Sequence, residues 1–119
     1  MLRLIEADAL DVYQPDVVLA AGLERSRVFA ALASARNHIF TPHTWSNGYG
    51  LVANLHVTAG LGGAPFIEFP YDPPTWGEDR RDFILSKPLT VGSDGLLHVP
   101  AGPGFGVEPK LSLFKQSVA

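Results

Sequence analysis

The feature that most constrains the fold of this chain is a set of three short apolar stretches, each ending on an ionisable residue. They are "VYQPD", "IFTPH" and "PFIE", and they end at Asp16, His43 and Glu68. Their β-branched and aromatic residues favour strands, and segments of roughly ten to fifteen residues with helical spacing separate them. Parallel strands need such helical crossovers because a hairpin cannot join them. The sequence therefore predicts an α/β protein with a parallel sheet.

Two helices are predicted between these strands, and a third helix end leads into the first strand within "LRLIEADALDVYQPD". The first crossover helix is "GLERSRVFAALASARN", with a predicted apolar face, a residue leading in from the loop and a C-terminal stop. The predicted apolar face consists of Val28, Leu32 and Ala35. Leu23 leads into the helix from the loop, and Asn37 is the predicted C-terminal stop. The second is "GYGLVANLHVTAGLGG", with an apolar side and a glycine-rich end. These are Leu51, Val52, Leu55 and Ala59 for the side, and Gly60, Gly62 and Gly63 for the end.

After Glu68 the chain leaves this strand-helix alternation. "PYDPPTWGEDRRDF" is proline-rich and predicted to be irregular, with Trp76 packing the tail. "LTVGSDGLLHVP" predicts two short strands around the turn at residues 93–95. "GPGFG" predicts a tight turn, since a phosphate loop would need a following Lys-Ser/Thr and a helix. One domain over 1–119 is expected, with β/α units in 1–70 and a C-terminal tail in 71–119.

Composition excludes several classes of function. The formal net charge is −3 and the Lys and Arg residues are scattered, so no basic stripe for nucleic acid is expected. No apolar run approaches the ~18 residues of a membrane span, and no signal peptide is evident, which predicts a cytoplasmic protein without a membrane partner. The chain has no cysteine, so disulfides, thiolate metal sites and a cysteine nucleophile are excluded.

The three strand-end residues are candidates for chemistry because parallel strands end on one face of a sheet. Asp16 beside His43 would fix the imidazole tautomer, and His43 could then move a proton near neutral pH. Pro15 and Pro42 restrict the backbone before these residues and hold the strand ends rigidly. Two structural interpretations stay open: the aspartate can cap the following turn, and the histidine can be a surface or packing residue.

Five segments in this order resemble the C-terminal portion of the enolase superfamily, in the branch of mandelate racemase and the acid-sugar dehydratases. They are "DVYQPD", "TPHTWSNGYG", "ANLHVTAG", "FIEFP" and "DGLLHVPAGPGFGVE", and they span nearly the whole chain. The resemblance implies a capping domain plus a modified (β/α)8 barrel, of TIM-barrel type. The strands ending at Asp16, His43 and Glu68 would then be the sixth, seventh and eighth of the barrel.

The resemblance also implies a reaction. Members of this family abstract the proton next to a carboxylate and stabilise the enediolate on Mg²⁺. His43 would be the catalytic base or acid, Asp16 its dyad partner, and Glu68 the acid near the substrate carboxylate or enediolate oxygen. The implied partner is a small hydroxy acid or acid sugar, and a homo-oligomer is expected for the intact enzyme. Trp45 and Asn47 follow His43 and are candidates for lining the substrate pocket, with a loop-packing role equally open.

Two departures from the family pattern qualify what this chain can do. Ala21-Gly22 stands where relatives usually have a Gly-Gly pair, which touches no proposed chemical group. The family's acidic metal ligands would precede Met1, and so would the capping domain toward which the tail returns. We therefore expect a truncated or remnant piece that is inactive alone, or one half of a split enzyme. The alternative function is a small non-catalytic α/β domain acting in binding or oligomerisation.

The remaining histidines are given no chemical role by the sequence. His56 lies within the second crossover helix and is predicted to pack or to make a helix contact. His38 begins a strand and His98 lies in the predicted tail hairpin, and neither is expected to have a convergent partner.

Overall fold

A computed structural model describes residues 1–62 and 64–114 of the chain. The helices are α1 (Leu2–Glu6), α2 (Gly22–Ser34), α3 (Gly48–Gly60) and α4 (Glu78–Arg81). The strands are β1 (Val12–Tyr13) and β2 (Ile39–Phe40). A π-helical turn, Val17–Ala21, precedes α2, and a 3-10 turn, Leu111–Leu113, lies near the end of the described tail. The predicted order of helices and strands is thus confirmed as far as the end of α3.

The two strands pair in parallel, as the alternation of strands and helices predicts. Tyr13 lies opposite Phe40 in the register. Backbone hydrogen bonds extend the pairing at both ends, and one of them joins the N–H of Thr41 to the carbonyl of Tyr13 over 3.1 Å. Because α2 connects the strands, the unit is a β-α-β crossover of the kind that parallel pairing requires. The α/β class is confirmed.

One hydrophobic core joins the sheet to the helices that flank it. Its buried members come from α1, both strands, the π-helical turn, α2 and α3, and they are Ile5, Tyr13, Val17, Ala30, Ala33, Phe40, Ala53 and Val57. A second cluster joins α3 to the tail and consists of Leu51, Val52, Leu85 and Leu89. α3 therefore lies between the sheet and the tail, which explains why it is buried along most of its length.

The face that α2 buries differs from the one predicted. Ser26, Ala30 and Ala33 are buried, whereas Val28 is 54% exposed and Leu32 is 39% exposed. Positions 26, 30 and 33 also follow helical spacing, and their small side chains let the helix approach the sheet closely. The prediction chose the larger apolar residues and missed the small ones that fit this contact. The predicted stop at Asn37 is confirmed, since its φ is 60° and it lies just beyond the end of the helix.

The third predicted strand, in "PFIEF", is wrong for this structure, because residues 64–69 form no strand. A strand needs a backbone ladder with a neighbour. Here the contact with the β2 side is made by a side chain, since the Thr41 hydroxyl donates to the carbonyl of Phe66 over 3.0 Å. The segment runs beside the sheet without joining it. Gly63, one of the glycines predicted to end the second crossover helix, lies outside the described residues.

The tail keeps the predicted turns but not the predicted hairpin strands. Gly92 donates its N–H to the carbonyl of Leu96 over 2.8 Å, and Gly95 has a φ of 77°, so the turn at residues 93–95 is confirmed. The flanking residues form no strands in the described part of the tail, because their backbone pairing does not extend beyond this turn. The turn in "GPGFG" is also confirmed: Gly106 has a φ of 68° and donates its N–H to the carbonyl of Pro103.

A buried ion pair fastens the tail. Arg81 and Asp82 have side-chain exposures of 1% and 3%, and the Arg81 Nη2 lies 2.6 Å from Asp82 Oδ2. Arg81 also donates to the carbonyls of Pro70 and Leu89, and Asp82 Oδ2 accepts the N–H of Leu89. Buried charges need this degree of hydrogen bonding to offset their lost hydration. The pair therefore joins three distant points of an otherwise irregular tail.

The helices are short compared with the thickness of a bilayer. α2 and α3 have 13 residues each, whereas a membrane-spanning helix needs ~20 apolar residues. Within residues 1–62 and 64–114, no helix has the length and apolar composition for such a span.

Candidate active site at the strand ends

The parallel register brings Asp16 and His43 to the same edge of the sheet. Tyr13 pairs with Phe40, and each candidate residue lies three positions beyond its member of this pair. Co-directional strands therefore place both side chains at equivalent points after the sheet. The distance from His43 Nδ1 to Asp16 Oδ2 is 3.7 Å. The predicted convergence of the carboxylate and the imidazole is confirmed.

Asp16 has two oxygens in different environments. Its Oδ1 accepts the N–H groups of Val18 and Leu19 over 2.8 and 3.1 Å and so caps the π-helical turn. Its Oδ2 is buried and has no hydrogen-bond partner among the described residues. A capping role and a role beside His43 therefore coexist in one side chain. The cap fixes the carboxylate, and this fixed orientation presents the unpartnered oxygen to the imidazole.

His43 is accessible although its neighbours are buried. Its side chain is 48% exposed, against 5% for Asp16. Pro42 and Thr44, on either side, are buried and hold the backbone at this point. The ring can therefore meet a ligand from solvent while one of its nitrogens faces a buried carboxylate.

Glu68 reaches the same loop. Its Oε2 accepts the backbone N–H of Thr44, the residue next to His43. The irregular segment that replaces the predicted third strand therefore still delivers its carboxylate to the strand-end edge. The structure brings Asp16 and His43 together and places Glu68 in contact with the residue after His43, although the roles of all three in catalysis stay predictions.

The two predicted pocket residues differ in their surroundings. Trp45 is 42% exposed, and its ring centroid lies 5.9 Å from that of Trp76 in the tail. Trp76 also contacts Arg80, whose guanidinium carbon lies 4.6 Å from the centroid of the Trp76 ring. Asn47 caps α3, with its Oδ1 accepting from two backbone N–H groups over 3.0 and 3.2 Å. Any ligand contact of Asn47 would therefore come from its Nδ2.

Asn54 is the site-supporting residue that the sequence reasoning missed. It is fully buried in α3, where its Oδ1 accepts the N–H of Val17 over 2.9 Å. Its Nδ2 donates to the carbonyl of His43 over 3.3 Å. The signal that could have found it is a polar amide within the apolar run "LVANLHV", because a buried amide requires hydrogen-bond partners.

The other histidines pair away from this edge. His56 contacts the carbonyl of Phe105 over 3.1 Å, which confirms its predicted packing role. The expectation of no partner is wrong for the other two: His38 Nε2 lies 3.2 Å from Asp8, and His98 Nε2 lies 2.9 Å from Asp94. Asp94 is four residues from His98, whereas Asp8 is 30 residues from His38, so a tertiary contact makes the second pair.

The carboxylates of these two outlying pairs titrate below the usual range. Hydrogen bonds from His38 and then Arg36 lower the pKa of Asp8. The pKa of Asp94 is lowered mainly by the backbone N–H of Leu96, with His98 adding to it. Hydrogen bonds to the ionised form favour it, which is the cause in both cases.

The described residues do not fit a Mg²⁺ site. No group of three or more His, Asp or Glu side chains in 1–62 and 64–114 is arranged to hold a metal ion. Asp16 Oδ1 and Glu68 Oε2 already accept backbone N–H groups, which compete with a cation. Mg²⁺ prefers several oxygen ligands in octahedral geometry, and this edge does not assemble them.

Comparison with known proteins places this chain in a family. Residues 1–113 match the family described as "Enolase C-terminal domain-like". The D-galactarolactone cycloisomerase of Agrobacterium fabrum is 30% identical, over 91% of this chain and 29% of that protein. The arabinonate dehydratase of Saccharolobus solfataricus is also 30% identical, over 96% of this chain and 29% of that protein.

A solved structure has a similar fold. The chain superposes on the 3,6-anhydro-D-galactonate cycloisomerase of Zobellia galactanivorans with a TM-score of 0.74 and 28% identity. The match covers 95% of this chain and 30% of that one, so the chain spans less than a third of the length of these relatives. The parallel strand ends and the family match agree: this chain belongs to the enolase C-terminal domain-like family of the enolase superfamily, in the branch of mandelate racemase and the acid-sugar dehydratases.

Proposed function

We propose that this chain provides the proton-transfer dyad of an enzyme that acts next to a carboxylate in hydroxy acids or acid sugars. His43 abstracts or returns the proton on the α-carbon, and Asp16 orients it. The observation that supports this most is the 3.7 Å separation of His43 Nδ1 from a buried Asp16 oxygen that has no other hydrogen-bond partner in the described chain.

The proposed roles follow from the chemistry of the pair. A carboxylate that receives the Nδ1–H of a neutral imidazole leaves a lone pair on Nε2. That nitrogen can take a proton from carbon, and the resulting imidazolium is stabilised by the same carboxylate. Exposure of the His43 ring gives the substrate access to it. Asp16 is held by its cap, so the pair needs little rearrangement.

Glu68 is assigned to the oxygen side of the substrate. It lies beside the loop that follows His43, through its contact with the N–H of Thr44. We propose that it meets the substrate carboxylate or the enediolate oxygen. Trp45 is proposed to line the pocket with its exposed ring, and Asn47 to reach it with Nδ2.

The substrate class rests on the relatives. The names of the two proteins at 30% identity describe a galactarolactone cycloisomerase and an arabinonate dehydratase, both acting on acid sugars or their lactones. Dehydration, cycloisomerisation and racemisation share the first step, removal of the proton next to the carboxyl group. We therefore propose this step for the chain and leave the fate of the enediolate to the rest of the site.

The chain is proposed to act as part of a larger barrel. The strands ending near Asp16 and His43, with the segment ending at Glu68, would be the sixth to eighth strand positions, and residues 71–119 would return toward a capping domain. A closed barrel of this type takes ~250 residues. The Mg²⁺ that the family implies would be held by residues outside this chain, and no step proposed here runs through it.

Exchange of the α-proton tests the proposal. In an enzyme that contains this chain together with the remaining barrel strands, His43→Asn is expected to abolish exchange of the substrate α-proton in D₂O, measured by ¹H NMR over a panel of aldonates and aldarates. His98→Asn is the matched control, because His98 also pairs with an aspartate but lies on the tail. Exchange that survives His43→Asn would remove His43 from its role. A non-catalytic binding domain would show no exchange in either the parent or the control.

A further inference from the structure

One side chain joins the two strand ends that carry the dyad. The Oδ1 of Asn54 accepts a hydrogen bond from the N–H of Val17, the residue after Asp16. Its Nδ2 donates to the carbonyl of His43. Among the described residues, Asn54 is the only one whose side chain hydrogen-bonds to both strand ends, and it lies in the interior of α3. We propose that Asn54 is a positioning residue that sets the separation of Asp16 and His43. This inference rests on the proposed function.

The amide is suited to this task because it offers an acceptor and a donor at one end of a short side chain. Asn54 is 0% exposed, so its amide is shielded from water, and its bond with the Val17 N–H is buried. Its helix is held in place on both sides by the two hydrophobic clusters. The side chain is therefore a fixed spacer between two loops that could otherwise move independently.

The separation of the dyad makes this spacing matter. The 3.7 Å gap between His43 Nδ1 and Asp16 Oδ2 lies just beyond hydrogen-bond range, which ends near ~3.2 Å for nitrogen and oxygen. A shift of about half an ångström in either loop therefore decides whether the proton on Nδ1 is held. Loss of the bond to the His43 carbonyl or to the Val17 N–H would allow the two loops to separate by this amount.

The tautomer of His43 reports this positioning directly. ¹⁵N shifts of the two ring nitrogens, measured in the 119-residue chain at a pH where the ring is neutral, give the ratio of the Nδ1–H to the Nε2–H form. In Asn54→Leu, which keeps the branched shape of the side chain and loses both bonds, we expect this ratio to fall about fivefold, because the Asp16 carboxylate moves away from Nδ1 and favours its proton less. Asn54→Asp keeps the acceptor for Val17 and loses the donor. It is expected to retain slow exchange of the Val17 amide proton and still lower the ratio.

A matched control separates positioning from general loss of stability. Thr58→Val removes one buried hydrogen bond one turn further along α3 without touching either strand end. It is expected to lower the melting temperature, while the tautomer ratio changes by less than about twofold. An equal change in both variants would mean that the ratio follows stability, and would overturn the proposal.

Other outcomes are also decisive. An unchanged ratio in folded Asn54→Leu or Asn54→Asp would overturn the proposal, and so would a dominant Nε2–H form in the unaltered chain, which needs no variant to fold. These results are distinct from failure of the proposed function. Proton exchange that survives His43→Asn would refute the catalytic role of His43 and leave the positioning role of Asn54 intact. A tautomer ratio that is unchanged in the Asn54 variants would refute the positioning role and leave the catalytic proposal intact.

Discussion

The buried pair of Arg81 and Asp82 gives the sharpest test of how the tail is held. Asp82→Asn keeps the shape of the side chain and removes its charge. The Arg81 guanidinium would then remain at 1% side-chain exposure without a counter-charge. Asp82 supplies two of its contacts, at 3.0 and 2.6 Å, and also accepts the N–H of Leu89 at 2.9 Å.

The expected loss is large relative to the stability of a domain. Breaking a buried ion pair by removing one partner costs ~3–5 kcal/mol, because the other charge is left uncompensated. Typical domains have an unfolding free energy of about 5–15 kcal/mol. With a urea dependence of about 1–3 kcal/mol per molar, the unfolding midpoint is expected to fall by roughly 1–5 M.

Urea unfolding followed by tryptophan fluorescence measures this change, since Trp76 lies in the segment that the pair fastens. Arg80→Met is the matched control on the same short helix: Arg80 is exposed, and its contacts with the Trp76 ring and the Thr75 carbonyl are expected to contribute no more than ~1 kcal/mol. Equal midpoints for Asp82→Asn and Arg80→Met would refute the argument, because they would show that the pair remains solvated. If Asp82→Asn shows no cooperative unfolding transition, the result supports the argument only when Arg80→Met still shows such a transition.

Three further predictions concern single positions. Asn47→Ala removes the cap of α3 and is expected to lower the unfolding free energy by ~1 kcal/mol, with Asn47→Asp much less affected; equal losses in a thermal melt would contradict the capping role. Gly106→Ala adds a Cβ only 2.5 Å from the Pro100 carbonyl at a φ of 68°, so its melting temperature is expected to fall well below that of Gly60→Ala, where no atom lies within 4 Å. Asp8 has a lowered pKa, so its contribution is present above its ordinary value of 3.8 and is lost as pH falls through the lower folded value. The melting temperature of Asp8→Asn is therefore expected to lie below that of the parent at neutral pH and to converge with it in acid; a gap independent of pH would count against this.

Local patterns in the sequence were enough for the strand ends. Asp16 and His43 each follow a short run of β-formers and a proline. Because the two strands pair in parallel, both residues lie at the same edge of the sheet. The stop at Asn37 and the turns in the tail were equally local, because left-handed backbone favours Asn and Gly wherever it occurs. Such features depend on a few neighbouring residues and are therefore visible in the chain.

The failures were of another kind. The buried face of α2 depends on how closely the sheet approaches, and the sequence does not say that Ala30 and Ala33 fit there better than Val28. Residues 65–69 have the composition of a strand, but a strand also requires a partner backbone at hydrogen-bonding distance. The Asn54 bridge joins residues 37 and 11 positions away, so no local pattern shows which loops it connects.

The amino-acid sequence by itself determined the α/β class, the family and the identity of the three strand-end groups. The tertiary structure alone decided that one Asp16 oxygen caps a turn while the other faces His43, and that Glu68 contacts the loop after His43 from a segment that is not a strand. The physical reason is that residue type and local spacing are properties of the chain, whereas hydrogen-bond partners and burial depend on which distant segments come into contact.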